Sequence, residues 1–167
     1  LSSTDDKAYG DLYQWGRSAD GHQCRTSSTT ATNASDETPG DALFIYETSS
    51  PYDWLTTQND NLWQGVDGTN NPCPGGYRLP TETELDNEHL SWGSDNAAGA
   101  FGSVLKLPMA GSRLRSAGSL SGVGTRGRYW DSTVSGTNAR YLYFSNSDAD
   151  MLTSRRANGF SVRCLKD

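Results

Sequence analysis

The sequence predicts an α+β domain: a small antiparallel sheet, one or two helices and long irregular loops, all within a single domain spanning residues 1–167. Three observations predict it. Near the C-terminus, "RYWDST" (128–133), "RYLYFS" (140–145) and "FSVRCLK" (160–166) are short strand-like segments at close spacing with glycines between them, the pattern of an antiparallel sheet. Thr81 and Glu84 form a T-x-x-E capping box after Pro80, which opens a helix. Residues 49–76, "SSPYDWLTTQNDNLWQGVDGTNNPCPGG", are continuous turn chemistry, too long for an idle connection.

Taken in order, "YGDLYQWGR" (9–17) reads as a short strand ending at Gly16, and residues 22–42 as a Ser/Thr-rich loop without periodicity. "ALFIYE" (42–47) is a compact apolar run, expected as a buried strand. In the long loop, Trp54 and Trp63 point to a segment tied to the body of the domain. Pro72 and Pro74 fix their own φ and bias the residues before them away from helix, while Gly75 and Gly76 allow a sharp reversal into "YRL". That corner aims a helix running from Thr81 to about Leu90, with Leu85 inward and His89 and Leu90 as further inward candidates. After Phe101 come "VLKLPMAGSR" and the loop "LRSAGSLSGVGTRG", then the sheet. In "RYLYFS", Leu142 and Phe144 alternate with Tyr141, Tyr143 and Ser145, so one face is core and the other shows tyrosines to solvent. Those tyrosines are either a binding surface or the polar edge of the core.

Hydrophobic residues make up 34% of the chain and mean hydropathy is -0.71, yet 5 Trp, 8 Tyr and 4 Phe supply large bodies for a core. The 14 basic and 20 acidic residues give a formal charge of -6 with no basic run, which excludes a nucleic-acid partner from the expected set. No apolar stretch approaches the roughly 20 residues of a membrane span, so no membrane insertion is expected. The N-terminus lacks a basic n-region and an apolar h-region, and the chain reads as a domain excised from a longer surface protein.

The cysteines Cys24, Cys73 and Cys164 show no metal-type spacing. Cys73 with Cys164 is the favoured pair, since each abuts a segment expected to be ordered; the alternative is three reduced thiols. Such a bridge would add about 4–5 kcal/mol at most on the loop-closure argument, and implies an oxidising compartment. "GVGTRG" (122–127) fits G-x-G-x-x-G but leads into a strand, so it offers no helix N-terminus to a dinucleotide. His22 reads as a turn residue bonded to backbone, and His89 as a packed or solvated helix residue; no hydrolase or protease motif is present. Two oxygen-rich stretches remain, "QNDNLW" with Asn59, Asp60 and Asn61, and "SNSDADM" with Asn146, Asp148 and Asp150. Such loops suit calcium, which takes six to eight hard oxygen ligands, and equally suit Asx turns; Asp60, Asn61, Asp148 and Asp150 are the candidate ligands.

Seven ordered segments, "DLYQWGRSADGHQ", "QNDNLWQG", "NPCPGGYRLPTETEL", "LPMAGSR", "GRYWDST", "ARYLYFS" and "GFSVRCLKD", resemble the Fibrobacter succinogenes major paralogous domain of bacterial secreted and surface proteins, from Asp11 to Asp167. The resemblance implies a C-type-lectin-like fold, with helices around a small twisted antiparallel sheet. It implies a non-catalytic adhesion module, secreted or at the cell surface, recognising a carbohydrate or an exposed peptide end on another cell with the help of calcium. Carried onto this sequence, the binding surface is Trp130, Ser132, Tyr141, Tyr143, Ser145, Asp148, Asp150, Arg155 and Arg156. The alternatives are a structural spacer and an enzyme of the formylglycine-generating type, which the lack of a close cysteine pair disfavours.

Overall fold

A computed structural model describes residues 2–167. After a 3-10 turn at Asp6–Ala8 come strands β1 (Tyr13–Gln14), β2 (Thr29–Thr30), β3 (Phe44–Ile45) and β4 (Tyr77–Arg78), then helices α1 (Glu82–Leu90) and α2 (Ala97–Gly102). Strands β5 (Ser112–Arg113), β6 (Leu120–Ser121), β7 (Arg126–Ser135), β8 (Asn138–Ser145), β9 (Ala149–Arg155), β10 (Gly159–Phe160) and β11 (Leu165–Lys166) complete the chain. The result is a small α+β fold, mostly antiparallel. Strands β7, β8 and β9 form a meander, β1, β10, β5 and β6 a four-stranded sheet, β4 pairs with β11, and β2 with β3 in parallel. The two larger sheets meet at Ser161, which accepts from Trp130 N–H at 2.9 Å and donates to Arg128 O at 3.0 Å.

Strand β8 is central, and its alternation feeds two cores. Leu142 and Phe144 pack with Tyr129, with Leu85 of α1, and with Ala97 and Ala100 of α2. Gly127 lies opposite Phe144, where a Cβ would sit 2.0 Å from the ring, so only glycine lets the phenyl cross the β7 backbone. On the other face, Ala139 and Tyr141 pack with Trp15, Trp63, Leu79, Trp130 and Phe160. That face is therefore not open to solvent, which corrects the sequence expectation: alternation along β8 is real, but the long loop and the N-terminal segment fold over its tyrosine side. A third cluster of Ala34, Ile45, Trp54, Leu55 and Leu62 fills the loop region itself.

Irregular chain over a core needs partners for its backbone. Trp54 Nε1 donates to Trp15 O at 2.7 Å, Trp15 Nε1 to Asp131 O at 2.9 Å and Trp130 Nε1 to Tyr13 O at 2.9 Å. The Gln14 amide donates to Ile45 O and Ala157 O and accepts from Ile45 N–H. Arg17, wholly buried, pairs with Asp20 and Asp41 and donates to Leu43 O. His22 accepts the Gln14 N–H on Nε2 at 3.1 Å and faces Asp20 through Nδ1 at 2.7 Å, so its ring is held neutral. Burial pushes its pKa down to about 4 despite the bond to Asp20.

The proline-glycine corner is fastened at both ends. Cys73 and Cys164 form a disulfide with 91 residues between them in sequence, which belongs to a chain that folds outside the reducing cytoplasm. Thr81 caps α1: its Oγ1 accepts from Glu84 N–H at 3.3 Å while its own N–H donates to Glu84 Oε2 at 2.8 Å. Arg78 clamps both Glu84 oxygens at 2.8 Å and reaches Asp167 at 2.7 Å. Leu85 is buried as expected, but Leu90 is 72% exposed. Five positions separate the two, about 140° around the helix, so they cannot share a face. Among the described residues no helix is long and apolar enough to cross a membrane.

Candidate functional site

The residues proposed from sequence do not assemble into one surface. Trp130, fully buried, stacks on Phe160 at 4.2 Å between centroids and meets Tyr141 edge-on. Tyr141 is 8% exposed, and Ser132 spends its N–H and its hydroxyl on Pro80 O. Arg156, 1% exposed, lies over Trp15 at 4.7 Å and donates to Asp60 Oδ1 at 2.6 Å, Asn59 O at 3.3 Å and Gly136 O at 3.1 Å. These four are structural, and they hold the loop against the sheet. Tyr143, Ser145 and Arg155 remain half-buried at the rim. Tyr143 and Ser145 stand toward the β8–β9 turn, whereas Arg155 bonds Asn138 at the opposite end of β8, some 23 Å away at about 3.3 Å per residue.

The calcium candidates are divided in the same way. Asp60 is the ion-pair partner of Arg156, and the Asn59 carboxamide accepts from Asn61 N–H at 2.8 Å. At the far turn, Asp148 accepts from the Ser145 and Ser147 hydroxyls and Asp150 from Met151 N–H at 2.8 Å. These oxygens close turns and loops, as Asx hydrogen bonding predicts. Among the described residues no three His, Cys, Asp or Glu side chains converge. No step below runs through the ion.

A different set of residues forms a concave site. A cleft of about 250 Å³ opens where the N-terminal segment crosses the junction of β10 with β7. The chain leaves the 3-10 turn through Tyr9, in helical backbone, and Gly10 at φ 61°, so that Tyr9, Asp11 and Tyr13 line the cleft while Leu12 is wholly buried. Leu107 and Pro108 form another wall, and buried Tyr129 and Ser161 form the floor. The Tyr129 hydroxyl donates to Pro108 O at 2.9 Å. Ser161 is 3% exposed; its backbone is locked between Arg128 and Trp130, and its hydroxyl lies beside that of Tyr129 without a hydrogen bond of good geometry. Arg163 lines the rim with one donor on Leu105 O at 2.7 Å. Arg25 braces the wall from behind, donating to Gly10 O and Tyr9 O with its guanidinium 5.4 Å from the Tyr9 ring. Burial raises the pKa of Tyr13 and of Tyr129, the mark of a poorly solvated site.

Two larger grooves, about 450 and 370 Å³, flank exposed Val104 beside α1 and α2, but neither is lined by a buried polar atom that lacks a partner. A buried hydroxyl without a partner costs about 1–3 kcal/mol, so a ligand atom that reaches Ser161 gains there; a smaller groove of about 160 Å³ is lined by His89, whose Nδ1 is likewise unpartnered. No protein-family model, no curated protein sequence and no solved structure matches this chain. The functional reading rests on geometry.

Sequence reasoning passed over every one of these cleft residues. The local signal was present: Tyr9, Asp11 and Tyr13 at a period of two, and Ser161 and Arg163 at the same period. What the sequence lacks is any mark that 9–13 and 161–163 meet. Chemically the cleft offers aromatic faces, one carboxylate, guanidinium donors and a hydroxyl. No histidine lines it: His22 is enclosed elsewhere, and His89 bonds Asp95 beyond the end of α1.

Proposed function

We propose that the chain is a non-catalytic ligand-binding module of a bacterial surface protein, secreted or displayed at the cell surface. Its fold is C-type-lectin-like, as its resemblance to the Fibrobacter paralogous domain implies. It takes a carbohydrate or an exposed peptide end on another cell into the Tyr9–Tyr129 cleft. The observation that carries this reading is the unpartnered Ser161 hydroxyl at the base of a tyrosine-walled cleft. Ligand pockets commonly measure about 300–1,000 Å³, so a smaller cleft suits one sugar ring or one peptide residue. Tyrosine faces supply rigid apolar contact, and their hydroxyls can remain hydrogen-bonded. The disulfide supports an extracytoplasmic setting.

The test is a glycan and peptide array in calcium and again in chelator, with each hit followed by amide chemical-shift mapping on the labelled protein. A hit that moves the amides of residues 9–13 and 161–163 is expected, and Ser161→Ala should weaken it. Equal binding in chelator removes calcium from the mechanism; a calcium requirement with shifts at 146–150 returns Asp148 and Asp150 to it. An array without hits leaves the spacer as the better reading.

A further inference from the structure

We infer that the ligand is an acidic sugar, a uronic-acid-type pyranose whose carboxylate meets Arg163 and whose hydroxyls meet Asp11 and Ser161. This rests on the cleft reading above and names its ligand class. The argument is one of unmatched charges. The chain carries a formal -6, and Arg17, Arg78, Arg140 and Arg156 all have carboxylate partners. Among the described residues, Arg163 and Asp11 line the cleft with no partner within ion-pair distance; Arg25, behind its wall, has none either but attracts Asp11 at longer range, and the other unpaired arginines, Arg113, Arg115, Arg126, Arg128 and Arg155, do not line it. Arg163 has five N–H donors and uses one. Arg25 gives its two hydrogen bonds to backbone carbonyls.

Each group restricts what can bind. A guanidinium only donates, so Arg163 calls for an anionic or strongly accepting group. A carboxylate only accepts, so Asp11 calls for donors and repels a bare anion. Ser161 needs one polar partner at depth. A neutral sugar leaves Arg163 unmatched, and a simple anion faces Asp11 with nothing to donate. An apolar side chain leaves Ser161 unsatisfied. A pyranose bearing a carboxylate answers all three, and its C–H face lies against Tyr9 or Tyr13.

The experiment is titration of the whole chain, by calorimetry and amide shift mapping, with methyl glucuronide, methyl glucoside, acetate and glycine at matched ionic strength. The glucuronide should bind at least tenfold tighter than the other three, moving the amides of 9–13 and 161–163, and should weaken as salt rises while the glucoside does not. Arg163→Gln should erase the tenfold preference yet keep the glucoside affinity; its side chain is exposed and makes one hydrogen bond, so the fold is retained. Ser161→Ala should weaken both sugars. Glucoside or acetate binding as tightly as the glucuronide, or glycine binding more tightly, overturns the acidic sugar while the cleft reading stands. Should none of the four probes and no array hit move those amides, both fall together.

Discussion

On one face of β8, Leu142 and Phe144 meet Leu85 from α1 and two alanines from α2; on the other, Ala139 and Tyr141 meet tryptophans carried largely by chain without regular structure. Helices satisfy their own backbone groups, so the first face closes with apolar side chains and the Tyr129 hydroxyl. Loops do not. The second face therefore buries Gln14, Arg17, His22, Asn70 and Arg156 alongside its aromatics, each tying a carbonyl, an amide or a carboxylate in place. The two faces differ in how much polar machinery is needed to hold the cover down.

The largest effect should come from removing that machinery. Arg156→Ala leaves Asp53, 3% exposed and 3.9 Å from the guanidinium, as a buried carboxylate without its cation, and releases Asp60, Asn59 O and Gly136 O together. Breaking a buried pair from one side costs about 3–5 kcal/mol. Urea unfolding should show that loss, and amide exchange should show opening centred on residues 53–63. A cost under 1 kcal/mol, or uniform exchange across α1 and the loop, would erase the distinction between the faces.

This contrast also explains what could be read from the sequence. The α1 helix was legible because a capping box, a proline-glycine corner and one apolar residue at Leu85 are local signals. The strands β7 and β8 were legible from alternation, and so was the division of Leu142 and Phe144 from Tyr141 and Tyr143. The fate of the tyrosine side was not, because alternation reports that a strand has two sides and says nothing of what covers the second. Its cover consists of Trp15, Trp63 and the Arg156 clamp, brought from distant parts of the chain. Helix α2 was missed for another reason: "AAGAFG" is poor in helix formers apart from alanine, and it forms because Asn96 caps Ala98 and Gly99 and because Gly99 packs where a Cβ would lie 1.9 Å from Ser94 O. The cleft is likewise a product of two segments about 150 positions apart meeting, beyond any local pattern.

A pH series sharpens the comparison, since the Asp131 carboxylate, beside Glu82 of α1, and His22, enclosed on the loop side, are shifted in opposite senses within the range from pH 4 to 7. Burial pushes Asp131 up to about 7; its Oδ2 has no partner, and the Thr133 N–H on Oδ1 opposes the shift only in part. An acid whose folded pKa is raised stabilises the fold below its unfolded value near 3.8 and loses that contribution as pH climbs to 7. His22, lowered to about 4, works in the opposite sense, losing its contribution as pH falls from 6.5 toward 4. Asp131→Asn should therefore gain on the parent chain as pH rises from 4 to 7, by about 3–4 kcal/mol at roughly 1.4 kcal/mol per unit. A constant difference between the two proteins across that range would mean that Asp131 is solvated or newly paired.

The smallest effect belongs to the helix face, at the cap of α1. Thr81→Ala removes the hydroxyl that accepts Glu84 N–H at 3.3 Å, which usually costs about 0.5–2 kcal/mol. Here the loss should fall near the lower end. The reciprocal bond from Thr81 N–H to Glu84 survives, since it uses backbone; Arg78 still grips both Glu84 oxygens; and Glu82 N–H is held independently by the Thr133 hydroxyl at 2.9 Å. The urea midpoint should shift slightly with an unchanged slope. A loss above 2 kcal/mol would show that the cap, and not the packing of Leu85 on β8, decides where the helix sits, and the helix-covered face would then depend on polar anchors as heavily as the loop-covered one.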